Sequence, residues 1–306
     1  MSRRLRARLA VAAGVAAALH AVPCSPQPTK AQPGDGGLAQ RWRAASRSVG
    51  GVVGIAAVHV ETGRAVEVLG RRPLALYSVF KLPLAVAILK DVDEGRLRLD
   101  QKVKVSAAEI VPGSAENASL WPGPTERSLR ELVELSITRS DNTSADKLLE
   151  LAGGPGALTR RLSALGIAGI TVRKSVREFL ADRRHPHPNT ASALDLAHLL
   201  VRLQKGEILK PASRDLLFGF MAGATTGRER IRAGVPAGTP VGDKTGSGPA
   251  ASATNDVGIV TLPDGSHLAV AVLVTGSKQP VAAQEKVIAD VARAAYDAYA
   301  GDQPRR

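Results

Sequence analysis

Apolar positions alternate or run continuously at the two ends of the chain and recur every three or four residues in the middle. Residues 51–59 and 65–69 are rich in Val, Ile and Ala, and Glu61-Thr62-Gly63 lies between them, which predicts two strands joined by a turn. From Ser78 to about Leu203 the spacing becomes helical, most clearly over 129–137, 144–151, 156–165 and 191–203. Strand-like segments return at 241–247, 255–262 and 267–275, and a last helical pattern covers 282–299. Strands at both ends and helices between them predict an α/β fold. It is an antiparallel sheet built from both chain ends and flanked by helices, with an inserted all-helical subdomain. A ligand would sit in the cleft between the two parts.

The first 21 residues do not belong to that pattern. Arg3, Arg4, Arg6 and Arg8 precede an Ala-rich apolar stretch over 9–21, and Pro23, Pro26 and Pro28 follow. This reads as an export leader ending near Ala21, too short and too weakly apolar for a spanning helix. Ser2-Arg3-Arg4 is similar to a twin-arginine signal. Residues 22–37 read as a disordered spacer. A single catalytic domain then covers 38–302, with an α/β part at about 38–72 and 216–302, a helical part at about 73–215, and a tail at 303–306. The expected location is periplasmic or extracellular, without stable membrane insertion. Cys24 is the only cysteine, so a monomer has no internal disulfide. Ala21-Val22-Pro23 before it lacks the small residues that would favour a lipid anchor there.

Composition narrows the partners. The net charge is +13, with four of the arginines in the leader, and a basic surface favours an anionic ligand. The basic residues are scattered, with no run longer than a pair such as Arg160-Arg161, and aromatics make up 3% of the chain. Neither a nucleic-acid footprint nor a base-stacking surface is present. His185-Pro186-His187-Pro188 offers two histidines but no third or fourth ligand, so no metal is expected, and no cofactor motif appears. The expectation is a monomer acting on a small molecule.

The chemistry begins at Ser78-Val79-Phe80-Lys81. In a helix, positions i and i+3 share a face, so a lysine amine desolvated among apolar neighbours can take the proton of the Ser78 hydroxyl. The pair by itself is more simply read as a capped helix start, with Ser78 as the cap and Lys81 solvated. Two later motifs change the reading. Ser140-Asp141-Asn142 supplies a hydroxyl that can shuttle a proton and an amide that can hold a substrate amide and Lys81. Asp141 is read as structural, accepting backbone N–H groups. Lys244-Thr245-Gly246, continued by Ser247, supplies a cation and two hydroxyls for a carboxylate, and Gly246 lets a ligand approach the backbone.

Ser-x-x-Lys, Ser-Asp-Asn and Lys-Thr-Gly in this order are the signature of class A β-lactamases and penicillin-binding proteins. The chain resembles a class A serine β-lactamase from about residue 38 to its end, including Thr225-Thr226-Gly227 and Thr254-Asn255-Asp256. The resemblance implies that Ser78 is the nucleophile and that Lys81 and Ser140 are catalytic. Asn142, Lys244, Thr245, Gly246 and Ser247 would bind substrate, with the N–H groups of Ser78 and Ser247 facing the oxyanion. It also implies a glutamate that activates the deacylating water. Counting from Arg173 places Glu178 there; the other reading of Glu178 is a surface carboxylate beside Arg177 and Arg183. The loop departs from the family pattern, with Val176 and Asn189 at the places of an arginine–aspartate pair, Asp182 at the place of an asparagine, and about two residues missing. Without a working base the chain would be a penicillin-binding acyltransferase or a β-lactam sensor. Substrate range would follow the loops around Trp121, Glu178 and the residues after Ser247.

Overall fold

The computed structural model describes residues 35–113, 115–182 and 189–301. The expected leader, Cys24, most of the spacer, the His185–His187 stretch and the tail lie outside them. In chain order the elements are α1 (Asp35–Arg47), β1 (Val52–His59), β2 (Ala65–Val68), β3 (Leu74–Ala75), α2 (Lys81–Asp93), β4 (Lys102–Val105), β5 (Thr125–Ser128) and α3 (Leu129–Thr138). They continue as α4 (Asn142–Leu151), α5 (Gly154–Ala164), α6 (Val176–Ala181), β6 (Thr190–Ala191), α7 (Ala193–Gln204) and α8 (Pro211–Ala222). The last are α9 (Ile231–Gly234), β7 (Val241–Ser247), β8 (Ala253–Thr261), β9 (His267–Thr275) and α10 (Val281–Ala300).

Five strands form one antiparallel sheet in the order β2-β1-β9-β8-β7, so N-terminal and C-terminal segments meet between β1 and β9. Both faces are covered, which is why β9 reads as a continuous apolar run. Leu268, Val270, Val272 and Val274 join one core with Leu38, Trp42, Ile288 and Val291 of α1 and α10. Ala269, Ala271 and Leu273 face the other core, built on α2, α3, α4, α7 and α8. Bulky side chains meet the two terminal helices; small ones let α7 lie close to β1 and β9.

Helix α1 was not legible in the sequence and starts at Asp35, inside the segment expected to be spacer. Its first residue is buried because Arg64 Nε donates to Asp35 Oδ1 at 2.8 Å, and Trp42 Nε1 donates to the Val291 carbonyl at 3.1 Å. The expected border between the two parts at 215–216 falls inside α8, which packs on both α2 and β7. Two short ribbons, β3–β6 and β4–β5, were also unforeseen. Among the described residues no helix is long and apolar enough to cross a membrane.

Candidate active site

Tyr77–Phe80 forms a 3-10 turn that runs directly into α2 at Lys81. Side chains three apart eclipse one another in such a turn, so Lys81 stands over Ser78. Tyr77 has φ 46°, a left-handed value costing a non-glycine residue about 1–3 kcal/mol. Its hydroxyl meets Ser252 Oγ at 3.2 Å, and its ring lies edge-on to Phe179. Ser78 is half-buried and opens on a cavity of about 210 Å³ that Asn142, Ser175 and Ser247 also line.

Lys81 is fully buried at the helix start. Its Nζ donates to the Ser140 carbonyl at 2.6 Å, to Asn142 Oδ1 at 2.8 Å and to Ser140 Oγ at 3.3 Å. From the opposite side Lys244 Nζ donates to the same Ser140 Oγ at 3.0 Å. One hydroxyl therefore lies between two amines. Burial pushes the Lys81 amine down to about 8, against the opposing pull of Asp141 and Asp146. Burial also holds Lys244 well below the usual lysine range, and the Lys81 charge adds to this. Ser140 has φ 52° in the turn between α3 and α4, a second strained residue at the centre of the network. Asp141 caps α4, its Oδ1 accepting from Ser144 N at 2.7 Å and from Trp121 Nε1 at 3.1 Å. Trp121 is buried, so its indole shapes the wall through Asp141 and offers little surface to a ligand.

Strand β7 is the free edge of the sheet and lies against the 3-10 turn. Gly246 has no side chain for an internal reason: a Cβ there would overlap the Leu76 carbonyl and press on Val79. The space expected to admit a ligand is taken by the nucleophile turn. Gly248 N donates to the Ala253 carbonyl at 2.9 Å, so by strand alternation the N–H of Ser247 points away from β8, into the cleft. The buried guanidinium of Arg230 donates to Ser247 Oγ at 2.8 Å and to the Asn255 carbonyl at 2.8 Å, with Glu285 at 3.2 Å. Thr226 Oγ1 lies 2.7 Å from Thr245 Oγ1. Beneath Lys244, burial raises both Asp243 and Asp256, and Arg232 Nη2 pairs with Asp243 at 2.7 Å.

The structure brings Ser78, Lys81, Ser140, Asn142, Lys244, Thr245, Gly246 and Ser247 together; Glu178 is the exception. It is the third residue of α6 and is exposed, with Oε2 accepting the Ser175 N–H at 2.7 Å while Ser175 Oγ accepts the Glu178 N–H at 3.2 Å. Glu178 lines a second cavity with Asp146, Lys147 and Glu109, and this cavity adjoins the Ser78 cavity at Ser175, which lines both. A capping box explains this orientation, since the third residue of such a box must turn its carboxylate back to the N-cap amide. Asp182, at the C-terminal end of the same helix, lies 3.8 Å from Lys174 Nζ.

The loop lacks the arginine–aspartate pair and is held by amide hydrogen bonds. Asn189 Oδ1 accepts the N–H groups of Arg173 at 2.8 Å and Lys174 at 3.1 Å, and its Nδ2 donates to the Lys174 carbonyl at 2.9 Å. Asp146 accepts the N–H groups of Val176 at 2.7 Å and Arg177 at 2.8 Å, fixing the start of α6. Asn189 is 2% exposed, so truncation leaves two N–H groups and a carbonyl without partners. Asn189→Ala is expected to cost about 2–3 kcal/mol, read as a lower urea midpoint together with faster proteolysis near 173–182. An unchanged midpoint would mean that Asn189 does not fasten the loop.

Arg230, Thr226 and Asp146 have no role that the sequence alone assigns. Arg230 reaches Ser247 across 17 positions and Glu285 across 55, and no periodicity or short motif carries that information. The only signal is position, since Thr226 and Arg230 flank the turn before Lys244-Thr245-Gly246.

Comparison with known proteins agrees with this geometry. A sequence model described as "Beta-lactamase enzyme family" matches residues 37–299. The extended-spectrum β-lactamase PER-1 of Pseudomonas aeruginosa is 38% identical over 227 residues, 72% of this chain and 74% of that protein. The crystal structure of a β-lactamase from Chitinophaga pinensis superposes with a TM-score of 0.83 at 34% identity, covering 86% of this chain and 99% of the other. A variant of the last common ancestor of Gram-negative bacteria β-lactamase class A superposes with a TM-score of 0.79 at 33% identity, covering 87% of this chain and 100% of the other. With the three motifs meeting in one cleft and the match running through nearly all of the described chain, the protein belongs to the β-lactamase enzyme family, among the class A serine β-lactamases.

Proposed function

We infer that this protein hydrolyses β-lactams through an acyl-enzyme on Ser78. The observation that carries the reading is the pair of buried amines, Lys81 and Lys244, meeting at one hydroxyl, Ser140 Oγ, beside the nucleophile turn. Neutral Lys81 accepts the proton of Ser78 Oγ as the oxygen attacks the lactam carbonyl carbon. The N–H of Ser78, in the first turn of its helical run, and the outward N–H of Ser247 stabilise the oxyanion. The Ser140 hydroxyl passes its proton to the ring nitrogen as the carbon–nitrogen bond breaks and takes in return the proton that Lys81 received from Ser78, so both groups end neutral. Lys244 sets the local charge, and Thr245, Ser247 and Arg230 face the substrate carboxylate. Asn142 holds both Lys81 and the side-chain amide of the substrate. Gly246 lets the strand edge approach Ser78.

Export to the periplasm or cell exterior fits this role, and the arginine-led leader of residues 1–21 supports it. The test is to mix the protein with benzylpenicillin and follow ring opening alongside the intact mass. Repeated turnover with a transient adduct mapping to Ser78 is expected. Ring opening without any adduct, or no reaction with penicillins and cephalosporins alike, would sink the reading.

A further inference from the structure

The cavity that opens on Ser78 is lined by Asn142 and Ser247 but not by Ser140, Lys244 or Thr245. In the reading above, the substrate carboxylate lies toward Lys244 and Thr245, the departing nitrogen toward Ser140, and the side-chain amide at Asn142. What fills the cavity is therefore the group that the substrate carries beyond that amide. Among the described residues no charged side chain lines it. Its apolar wall comes from three separate segments: Tyr77 of the nucleophile turn, Phe179 and Leu180 of α6, and Pro249 after β7. The chain has two Trp, three Tyr and four Phe, and three of those rings, Tyr77, Phe80 and Phe179, line this one cavity. Aromatic surface is thus concentrated where the acyl side chain must go.

Tyr77 joins the other two segments. Its ring meets Phe179 edge-on, with centroids 5.8 Å apart and planes at 87°, and its hydroxyl lies 3.2 Å from Ser252 Oγ. A Cβ on Gly248 would come within 2.8 Å of Tyr77 Cζ, so the glycine after Ser247 leaves the space that the ring occupies. Left-handed φ values stand at both ends of this contact: 46° at Tyr77, and 48° and 58° at Ala250 and Ala251, just before Ser252. Such conformations persist only where the surrounding contacts hold them, which fixes the ring before any ligand arrives.

We propose that Tyr77 is a specificity-determining residue: with Phe179 it forms a preformed aromatic corner that selects β-lactams carrying an uncharged, flat aromatic acyl side chain. This rests on the β-lactamase reading above. A planar ring seated in the corner of an edge-to-face pair meets both rings at once, and aromatic contacts of this kind gain about two- to tenfold in binding beyond the apolar area they cover. Because the two rings already hold each other, little ordering cost is taken from that gain. A charged group in the same place would lose its water without finding a partner.

The test compares kcat/KM for three penicillins that share the fused ring and the carboxylate: benzylpenicillin, a penicillin with a linear alkyl side chain, and 6-aminopenicillanic acid, which has no acyl side chain. It is run on the native protein, Tyr77→Leu and Phe179→Leu. The native protein is expected to favour benzylpenicillin over the alkyl penicillin by about three- to tenfold, and each variant to bring that ratio to within about twofold of one. Damage to the nucleophile turn lowers all three substrates alike, 6-aminopenicillanic acid included, and divides out of the ratio. Phe179 lies outside that turn, so Phe179→Leu decides the matter even if Tyr77→Leu fails to fold. A native ratio near one, or the native ratio retained in either folded variant, overturns the proposal. Ring opening of none of the three by the native protein would instead remove the β-lactamase reading on which it stands.

Discussion

Lys81→Met is expected to slow acylation of Ser78 by about 10²–10⁴-fold, the span associated with losing a positioned general base. Methionine is unbranched and reaches as far as the lysine ε-carbon, filling most of the same buried space, so packing around α2 is largely kept. What disappears is the one amine stacked over Ser78 by the 3-10 turn and tied to Ser140 and Asn142 at 2.6–3.3 Å. The Lys244 amine remains near Ser140 Oγ, but its bonds to that oxygen and to the Thr245 carbonyl direct it toward the leaving-group side of the site. Stopped-flow acylation with a chromogenic cephalosporin gives the rate, and a circular dichroism spectrum checks the fold. A variant that acylates within tenfold of native would show that another group deprotonates Ser78.

Gly246→Ala should damage stability and catalysis together. The added methyl meets the Leu76 carbonyl and Val79, which are backbone and a packed core side chain, so no surface side chain can rotate to make room. Overpacking of this kind costs about 1–3 kcal/mol. Because the overlap lies between β7 and the nucleophile turn, relief requires the strand edge to move away from Ser78. A displacement of about 1 Å at a reacting centre costs on the order of a hundredfold in rate. Gly219 in α8 is the matched control, since a Cβ there meets nothing within 4 Å. Gly219→Ala should raise stability by about 0.5–1 kcal/mol through helix propensity and leave hydrolysis unchanged. Urea unfolding and steady-state kinetics on both variants separate the effects. A Gly246→Ala protein with native midpoint and native acylation rate would contradict the contact.

The same two scales divide what the chain discloses about itself. Ser78, Lys81, Ser140-Asp141-Asn142 and Lys244-Thr245-Gly246 were legible because each is a short motif whose residue types match one step of acyl transfer, and motif order survives folding. The strands at 52–59 and 267–275 were legible because sheet burial imposes an apolar run on local sequence. Helix α1 was not, since its stability comes from Trp42 and Asp35 meeting partners 249 and 29 positions away. Arg230 was invisible for the same reason.

Glu178 shows the division most clearly. Its place in the chain, five residues after Arg173, matched the position of a water-activating carboxylate, and sequence counting stops there. Ser175 and Glu178 also form a capping box, a local preference already written in Ser-x-x-Glu spacing. Which way the capped turn faces depends on Asp146 holding the N–H groups of Val176 and Arg177, and on Asn189 closing the loop from the other end. The sequence by itself determined the reactive groups, their order and the sheet that carries them, because these follow from residue type and local period. Only the tertiary structure decided that Ser175, and not Glu178, lines the cavity of the nucleophile, because the face a carboxylate presents is set by hydrogen bonds between segments far apart in the chain.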